Sequence, residues 1–303
     1  MIQVPPYLKA GDTIGMVCPA GYMPASKTVS CVETLNAWGY QVKMGVSIGG
    51  SSENYFSGSD DVRKADLQQM LDDPSIKAIL FGRGGYGTSR IIDQLNFEKF
   101  IQHPKWLIGF SDITVILQHV YKNYNIAGLH APMAAAFNFG GWESENVLSL
   151  KAALSGTPSC YTIPSHEWNR KGMAVGPLVG GNLSLVAHMI GSSSELDLKG
   201  HILFLEDLGE QLYHIDRMML QLRRAGLLKE LAGIVFGGFT EMENTERPFG
   251  KSLEELLFDH VAPFDYPVCF DFPVSHGEGN RALKIGVEWK LTVDEKVELK
   301  EMM

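Results

Sequence analysis

Short apolar runs alternate with longer amphipathic ones through the first half of the chain. Residues 13–18 read as a strand closed by Pro19-Ala20-Gly21, and a helix is predicted from Ser26, as N-cap, to Trp38 with Gly39 as its stop. Residues 40–44 form the next β-like run. The stretch 60–71 is helical in period, with Val62, Leu67, Met70 and Leu71 on one face, and it ends before Asp72-Asp73-Pro74. A nearly continuous apolar strand at 77–81 leads into a glycine loop and a helix at 89–95; strand 106–110 then leads into helix 112–124. Repeated strand-helix units with fully apolar strands predict a parallel sheet covered on both faces.

The pattern changes after a helix at 146–154. Residues 155–176 are rich in Gly, Pro, Ser and other polar residues, include Trp168 and Arg170, and read as an interdomain linker. Beyond it, strands are predicted at 201–205, 233–236, 267–270 and 289–293, and helices at 213–225 and 252–261. The expected organisation is an N-terminal α/β domain over 1–155, a linker over 156–176, and a smaller β-rich, barrel-like α+β domain over 177–303. No internal repeat or low-complexity segment is visible.

Composition narrows the function classes. The 303 residues, 45% hydrophobic and 20% charged, suffice for two domains with real cores. A formal charge of −9 argues against nucleic acid or an anionic membrane as the main partner. No apolar run reaches membrane-spanning length, and the first residues lack a basic leader followed by an apolar core, so a cytoplasmic protein is expected. Cys18, Cys31, Cys160 and Cys269 lie far apart and predict reduced thiols rather than disulfides or a zinc site.

The chemistry is concentrated at four places. In Leu107-Ile108-Gly109-Phe110-Ser111-Asp112-Ile113-Thr114 an apolar run stops at a glycine and a lone serine precedes a helix. Such a turn exposes a hydroxyl beside the N–H groups that open the helix, making Ser111 a candidate nucleophile, although a plain N-cap is the competing reading. Gly82-Arg83-Gly84-Gly85-Tyr86-Gly87 matches G-x-G-x-x-G in letters. It is consistent with half of an oxyanion hole, with a structural turn, or with a dinucleotide site. The last is disfavoured because the loop follows the third predicted strand rather than the first. His276, on a glycine-flanked loop after an apolar strand, is the candidate base, with His130 as rival. Glu206, ending the apolar run 203–205, is the candidate orienting acid ahead of its neighbour Asp207.

These segments occur in one chain in the order glycine loop, Gly109-Phe110-Ser111-Asp112-Ile113-Thr114, Leu205-Glu206-Asp207, His276-Gly277. Together with Gly11-Asp12-Thr13-Ile14, Gly180-Gly181-Asn182-Leu183 and residues 233–239, the set resembles the LD-carboxypeptidase family of serine peptidases over essentially the whole chain. The resemblance implies that Ser111 is the nucleophile, His276 the general base and Glu206 its partner. The backbone N–H groups of Asp112 and of Gly84 or Gly85 would form the oxyanion hole, and Arg83 and Tyr86 are candidates for substrate contact. It further implies a site in a cleft between the domains, no metal or cofactor, and a homodimer. The reaction would release terminal D-Ala from murein tetrapeptides, in peptidoglycan recycling. One departure is local: Val274-Ser275 stands where relatives often have a glycine before the histidine. Alternatives are a relative resembling the microcin C self-immunity peptidase, which cleaves aminoacyl- or peptidyl-nucleotide amides, a nicotinamide-dependent oxidoreductase, and a non-enzymatic two-domain binding protein.

Overall fold

The computed structural model describes residues 2–50 and 54–302. Its chain divides into two compact units. One comprises the chain through Thr157 together with Arg281–Lys284, and the other comprises Pro158–Asn280 and the chain from Ile285 onward.

The first unit is built on strands β1 (Thr13–Val17), β2 (Gln41–Met44), β3 (Ile76–Phe81), β4 (Trp106–Gly109) and β5 (Gly128–His130). All four pairings among them are parallel, in the order β2-β1-β3-β4-β5, and Leu283–Ile285 supplies a sixth strand beside β5. Ile14, Met16, Ile79, Leu107 and Ile108 are buried, as expected for strands covered on both faces. Helices α1 (Val29–Ala37), α2 (Asp60–Asp72), α3 (Glu98–Gln102), α4 (Thr114–Tyr124) and α5 (Glu145–Leu154) complete it. The strand order reverses between β1 and β3, the position at whose carboxyl ends open α/β sheets commonly place their ligand sites. The glycine loop leaves β3 at that point, and Ser111 follows the adjacent β4.

Several local expectations are corrected. The helix predicted from Ser26 begins as a 3-10 turn, Ala25–Thr28, capped by Pro24, and only becomes α-helical at Val29. The helix predicted at 89–95 is two 3-10 turns, Thr88–Arg90 and Ile92–Gln94. On α2, Val62 is exposed, whereas Arg63 and Asp66 are buried with Leu67, Met70 and Leu71. Helical period alone ranks a valine as core and an arginine as surface. It does not register that nearby loops present carbonyl and N–H groups that need those two charged side chains.

The second unit carries β6 (Cys160–Pro164), β7 (Gly172–Asn182), β8 (Ile202–Leu208), β9 (Gly233–Thr240) and β10 (Val268–Cys269). With the Leu283–Ile285 strand counted as β11, the last two are β12 (Glu288–Val293) and β13 (Lys296–Glu301). They form one sheet in the order β10-β9-β8-β7-β12-β13-β6. β7 joins two styles of pairing: residues 172–177 run antiparallel to β12, and residues 178–182 run parallel to β8. Helices α6 (Leu183–His188), α7 (Leu212–Arg224) and α8 (Leu253–Val261) accompany the parallel half. A capping box at Ser252 and Glu255 starts α8.

The segment read as a linker belongs to this unit. β6 pairs antiparallel with β13, and Arg170 exchanges backbone hydrogen bonds with Val268 at 3.0 and 3.2 Å. The Arg170 guanidinium donates to carbonyls at and just beyond the end of α8, at 3.3 Å to Val261 and 3.3 Å to Ala262, and also to Phe264. Gly, Pro and Ser report turn chemistry; they do not reveal pairing with chain far along the sequence. Arg170→Ala removes the guanidinium donor from these carbonyls, of which Val261 O keeps the Phe264 N–H at 3.1 Å, and is expected to destabilise the second unit by about 2 kcal/mol, read as a lower urea midpoint. Among the described residues, no helix is long and apolar enough to cross a membrane.

Candidate active site

Ser111 sits in the left-handed region, with φ 62°, one of four such non-glycine residues among those described. The 3-10 turn Ser111–Ile113 is preceded by Phe110 as N-cap, and no side chain caps it. The N-cap reading of Ser111 is therefore set aside. L-residues enter this backbone region at a cost of about 1–2 kcal/mol, so a serine held there is over-determined by its surroundings.

Its neighbour is the glycine loop. A methyl group placed on Gly84 would lie 3.0 Å from Ser111 Cβ, 3.1 Å from its Oγ and 3.3 Å from the Asp112 nitrogen. Only a residue without Cβ leaves that space open to a ligand. The loop is fastened on several sides. Gly21 N–H donates to Gly84 O at 3.1 Å, and Arg83 Nη1 donates to Tyr22 O at 3.1 Å. Thr88 N–H donates to the buried Asp112 carboxylate at 2.9 Å. Burial pushes the Asp112 carboxyl up, against the Thr88 hydrogen bonds and the charge of Arg63. Gly85 has φ 102° and faces the Tyr55 hydroxyl; Tyr86 is half exposed, with its ring 6.0 Å from that of Phe56. The loop opens into 3-10 turns rather than an α-helix, so it lacks the helix N-terminus that takes a pyrophosphate in a dinucleotide fold.

In the second unit, Glu206 Oε2 lies 2.6 Å from His276 Nδ1, with the Glu206 side chain fully buried. Adjacent residues of a strand face opposite ways, which separates Glu206 from Asp207. Asp207 accepts from Asn182 Nδ2 at 2.7 Å, Ser184 N–H at 2.9 Å and Leu208 N–H at 2.9 Å. Burial pushes Asp207 up to about 6 despite these donors. Burial also works against the His276 imidazolium, but the hydrogen bond and charge of Glu206, with Asp207 and Glu241 adding, outweigh it and the pKa is raised. A carboxylate on Nδ1 fixes the neutral tautomer with its lone pair on Nε2, the arrangement of a general base.

The departure before the histidine has a structural use. Ser275 Oγ accepts from Gly277 N–H at 3.0 Å and donates to Gly279 O at 2.9 Å, so it ties the loop on either side of His276. Gly237 and Gly238 of β9 make room: a Cβ there would fall 2.2 Å from Val274 O and 2.5 Å from Ser275 Cβ.

Both halves of the chain match one family. Residues 14–131 match the LD-carboxypeptidase N-terminal domain and residues 175–291 the LD-carboxypeptidase C-terminal domain. The chain belongs to the LD-carboxypeptidase family. It is 34% identical over 295 residues to the probable murein peptide carboxypeptidase of Bacillus subtilis, covering 96% of this chain and 92% of that protein. The crystal structure of muramoyltetrapeptide carboxypeptidase from Oxalobacter formigenes is similar at a TM-score of 0.87 and 27% identity, covering 96% of this chain and 99% of that one. A more distant relative, the microcin C7 self-immunity protein MccF of Escherichia coli, is 25% identical over 337 residues, covering 98% of this chain and 96% of that protein.

Membership in the LD-carboxypeptidase family makes this chain a carboxypeptidase, as expected from its motifs. Within the first unit the structure brings Ser111, Asp112 and Gly84 together; within the second it pairs Glu206 with His276. His130, the rival base, is fully buried at the end of β5 with its ring 5.8 Å from Phe110. Sequence reasoning passed over Arg63 and Ser275. A charged residue on the apolar face of a predicted helix was the available signal for the first. For the second it was a hydroxyl next to the candidate histidine. Among the described residues, no group of three or more His, Cys, Asp or Glu is arranged to hold a metal ion.

Proposed function

We propose that this carboxypeptidase hydrolyses the L,D-amide bond releasing terminal D-Ala from murein tetrapeptides, using Ser111, His276 and Glu206. The observation that carries the reading is the buried Glu206–His276 pair at 2.6 Å, a base made stronger than an ordinary imidazole. His276 Nε2 takes the Ser111 proton as Oγ attacks the scissile carbonyl, and Glu206 stabilises the imidazolium. The tetrahedral oxyanion is held by the N–H groups of Asp112 and of Gly84 or Gly85. The C–N bond breaks as His276 protonates the departing D-Ala amine, and a water activated by His276 then releases the acyl group. Arg83 and Tyr86 are read as substrate contacts. Cytoplasmic location, a homodimer and a role in peptidoglycan recycling belong to the same reading.

The names of two relatives, murein peptide carboxypeptidase and muramoyltetrapeptide carboxypeptidase, favour the peptide substrate. The deciding experiment follows D-Ala release from a murein tetrapeptide beside amide cleavage of an aminoacyl sulfamoyl adenylate. Turnover of the tetrapeptide alone supports the proposal; turnover of the adenylate alone replaces it with the self-immunity type. Gly84→Ala keeps the backbone N–H but places a methyl group 3.1 Å from Ser111 Oγ, and by displacing the loop donors from the oxyanion it is expected to lower kcat for D-Ala release about 100-fold, with the circular dichroism spectrum unchanged.

A further inference from the structure

Arg63 is fully buried on α2, one turn in from the Ser59 cap. Burying a guanidinium is unfavourable unless its donors are used, and an apolar side chain would fill the same volume more cheaply. Its acidic partner, Asp60, is one-third exposed and shared with Arg90. The other contacts of Arg63 explain its retention better. Nε reaches Gly58 O at 3.4 Å, and Nη1 donates both to Pro19 O, in the loop after β1, and to Gly87 O at 3.1 Å, at the end of the glycine loop. The guanidinium also lies 4.8 Å from the centre of the Phe56 ring. One cation thus joins the two loops that flank the point where the strand order reverses.

The contact with Gly87 has a consequence one bond further on. The carbonyl of Gly87 and the N–H of Thr88 belong to one planar peptide group. Arg63 holds its oxygen at 3.1 Å, and the carboxylate of Asp112, the residue after Ser111, holds its nitrogen at 2.9 Å. A single peptide clamped at both ends therefore links α2 to the turn that carries the candidate nucleophile. Gly87 has φ 144°, and a Cβ there would lie 2.9 Å from Arg63 Nη1, so the peptide's approach to the guanidinium also needs a glycine.

We infer that Arg63 is a positioning residue: by clamping the Gly87–Thr88 peptide between itself and Asp112, it sets the glycine loop against Ser111. The inference rests on the carboxypeptidase reading of Ser111 and deepens it. Arg63 is fully buried and presents no surface to a ligand. Its influence falls on the alignment of N–H donors with the developing oxyanion, a transition-state effect, so kcat responds and KM does not.

The test uses the full chain with Arg63→Ala and Arg63→Lys, tetrapeptide kinetics, and amide hydrogen exchange at Thr88. The expected result is a fall in kcat of about 10- to 100-fold with KM within about threefold, and faster Thr88 exchange in both variants. Methylguanidinium is expected to restore part of the kcat of Arg63→Ala but not of Arg63→Lys, whose ammonium fills the site without the planar fork. A folded variant with kcat within about twofold of wild type overturns the inference, as does a fall in kcat with unchanged Thr88 exchange and no rescue. Should Arg63→Ala not fold, Arg63→Lys retains the charge and carries the kinetic and exchange readouts alone. If wild type releases no D-Ala, the carboxypeptidase reading fails separately, and Thr88 exchange decides the clamp: faster in the variants supports it, unchanged overturns it.

Discussion

Ser111→Gly is expected to abolish D-Ala release while yielding a more stable protein than Ser111→Ala. Both substitutions delete the hydroxyl, and both are expected to lower kcat by about 10⁴- to 10⁶-fold, the range for loss of an acyl-transfer nucleophile. They differ in backbone. At φ 62° alanine retains the Cβ that crowds the following carbonyl, whereas glycine enters this region freely. Glycine gives back part of that advantage through the greater entropy of its unfolded chain, leaving about 1 kcal/mol in its favour. Thermal midpoints of the two inactive variants measure the difference. A Ser111→Ala protein as stable as Ser111→Gly would show that the turn is not strained. Retained turnover in either would remove Ser111 from the reaction.

Glu206→Gln is expected to lower kcat by about 10³- to 10⁴-fold and to move the acid limb of the pH profile downward. The introduced side-chain amide has nearly the shape of the carboxylate but presents N–H groups to Nδ1, which favours the tautomer with its proton on Nε2, where a base needs its lone pair. The sign of the pH shift follows from the balance at His276. Burial lowers its pKa, and Glu206 more than offsets this. The base works in its neutral form, so wild-type activity rises with pH through a value above that of an ordinary imidazole. Without the carboxylate, burial predominates and the limb falls below that of wild type. Profiles of kcat/KM between pH 5 and 9 check it. An unmoved limb would show that the titrating group is not His276.

The parallel sheet of the first unit was legible because β1, β3 and β4 are apolar on both faces, and a strand covered on two sides cannot show alternation. The ends of its helices were less so. Ser26 and Ser111 look like caps, yet the first lies inside a 3-10 turn and the second adopts a left-handed backbone, conformations that the surrounding loops impose. Strands β6, at the sheet edge, and β13, beside it, are not legible because half-buried strands of alternating exposure resemble polar loops until their partners are known. Sequence alone ranks Glu206 over Asp207 only as a preference between neighbours, and the pleat of β8 separates them.

Residue types at Ser111, Glu206, His276 and the glycine loop, together with their order, were enough to show which family the chain resembles. The order of these segments carries that information, and a carboxylate that ends an apolar run is costly to bury without a partner. Tertiary structure alone decided that Arg63 is interior and that one peptide, Gly87–Thr88, is held from both sides. It likewise decided that Ser275 braces the histidine loop against two glycines of β9. Those facts depend on which carbonyls and N–H groups, distant along the chain, arrive beside a given side chain, and only the packed fold brings them there.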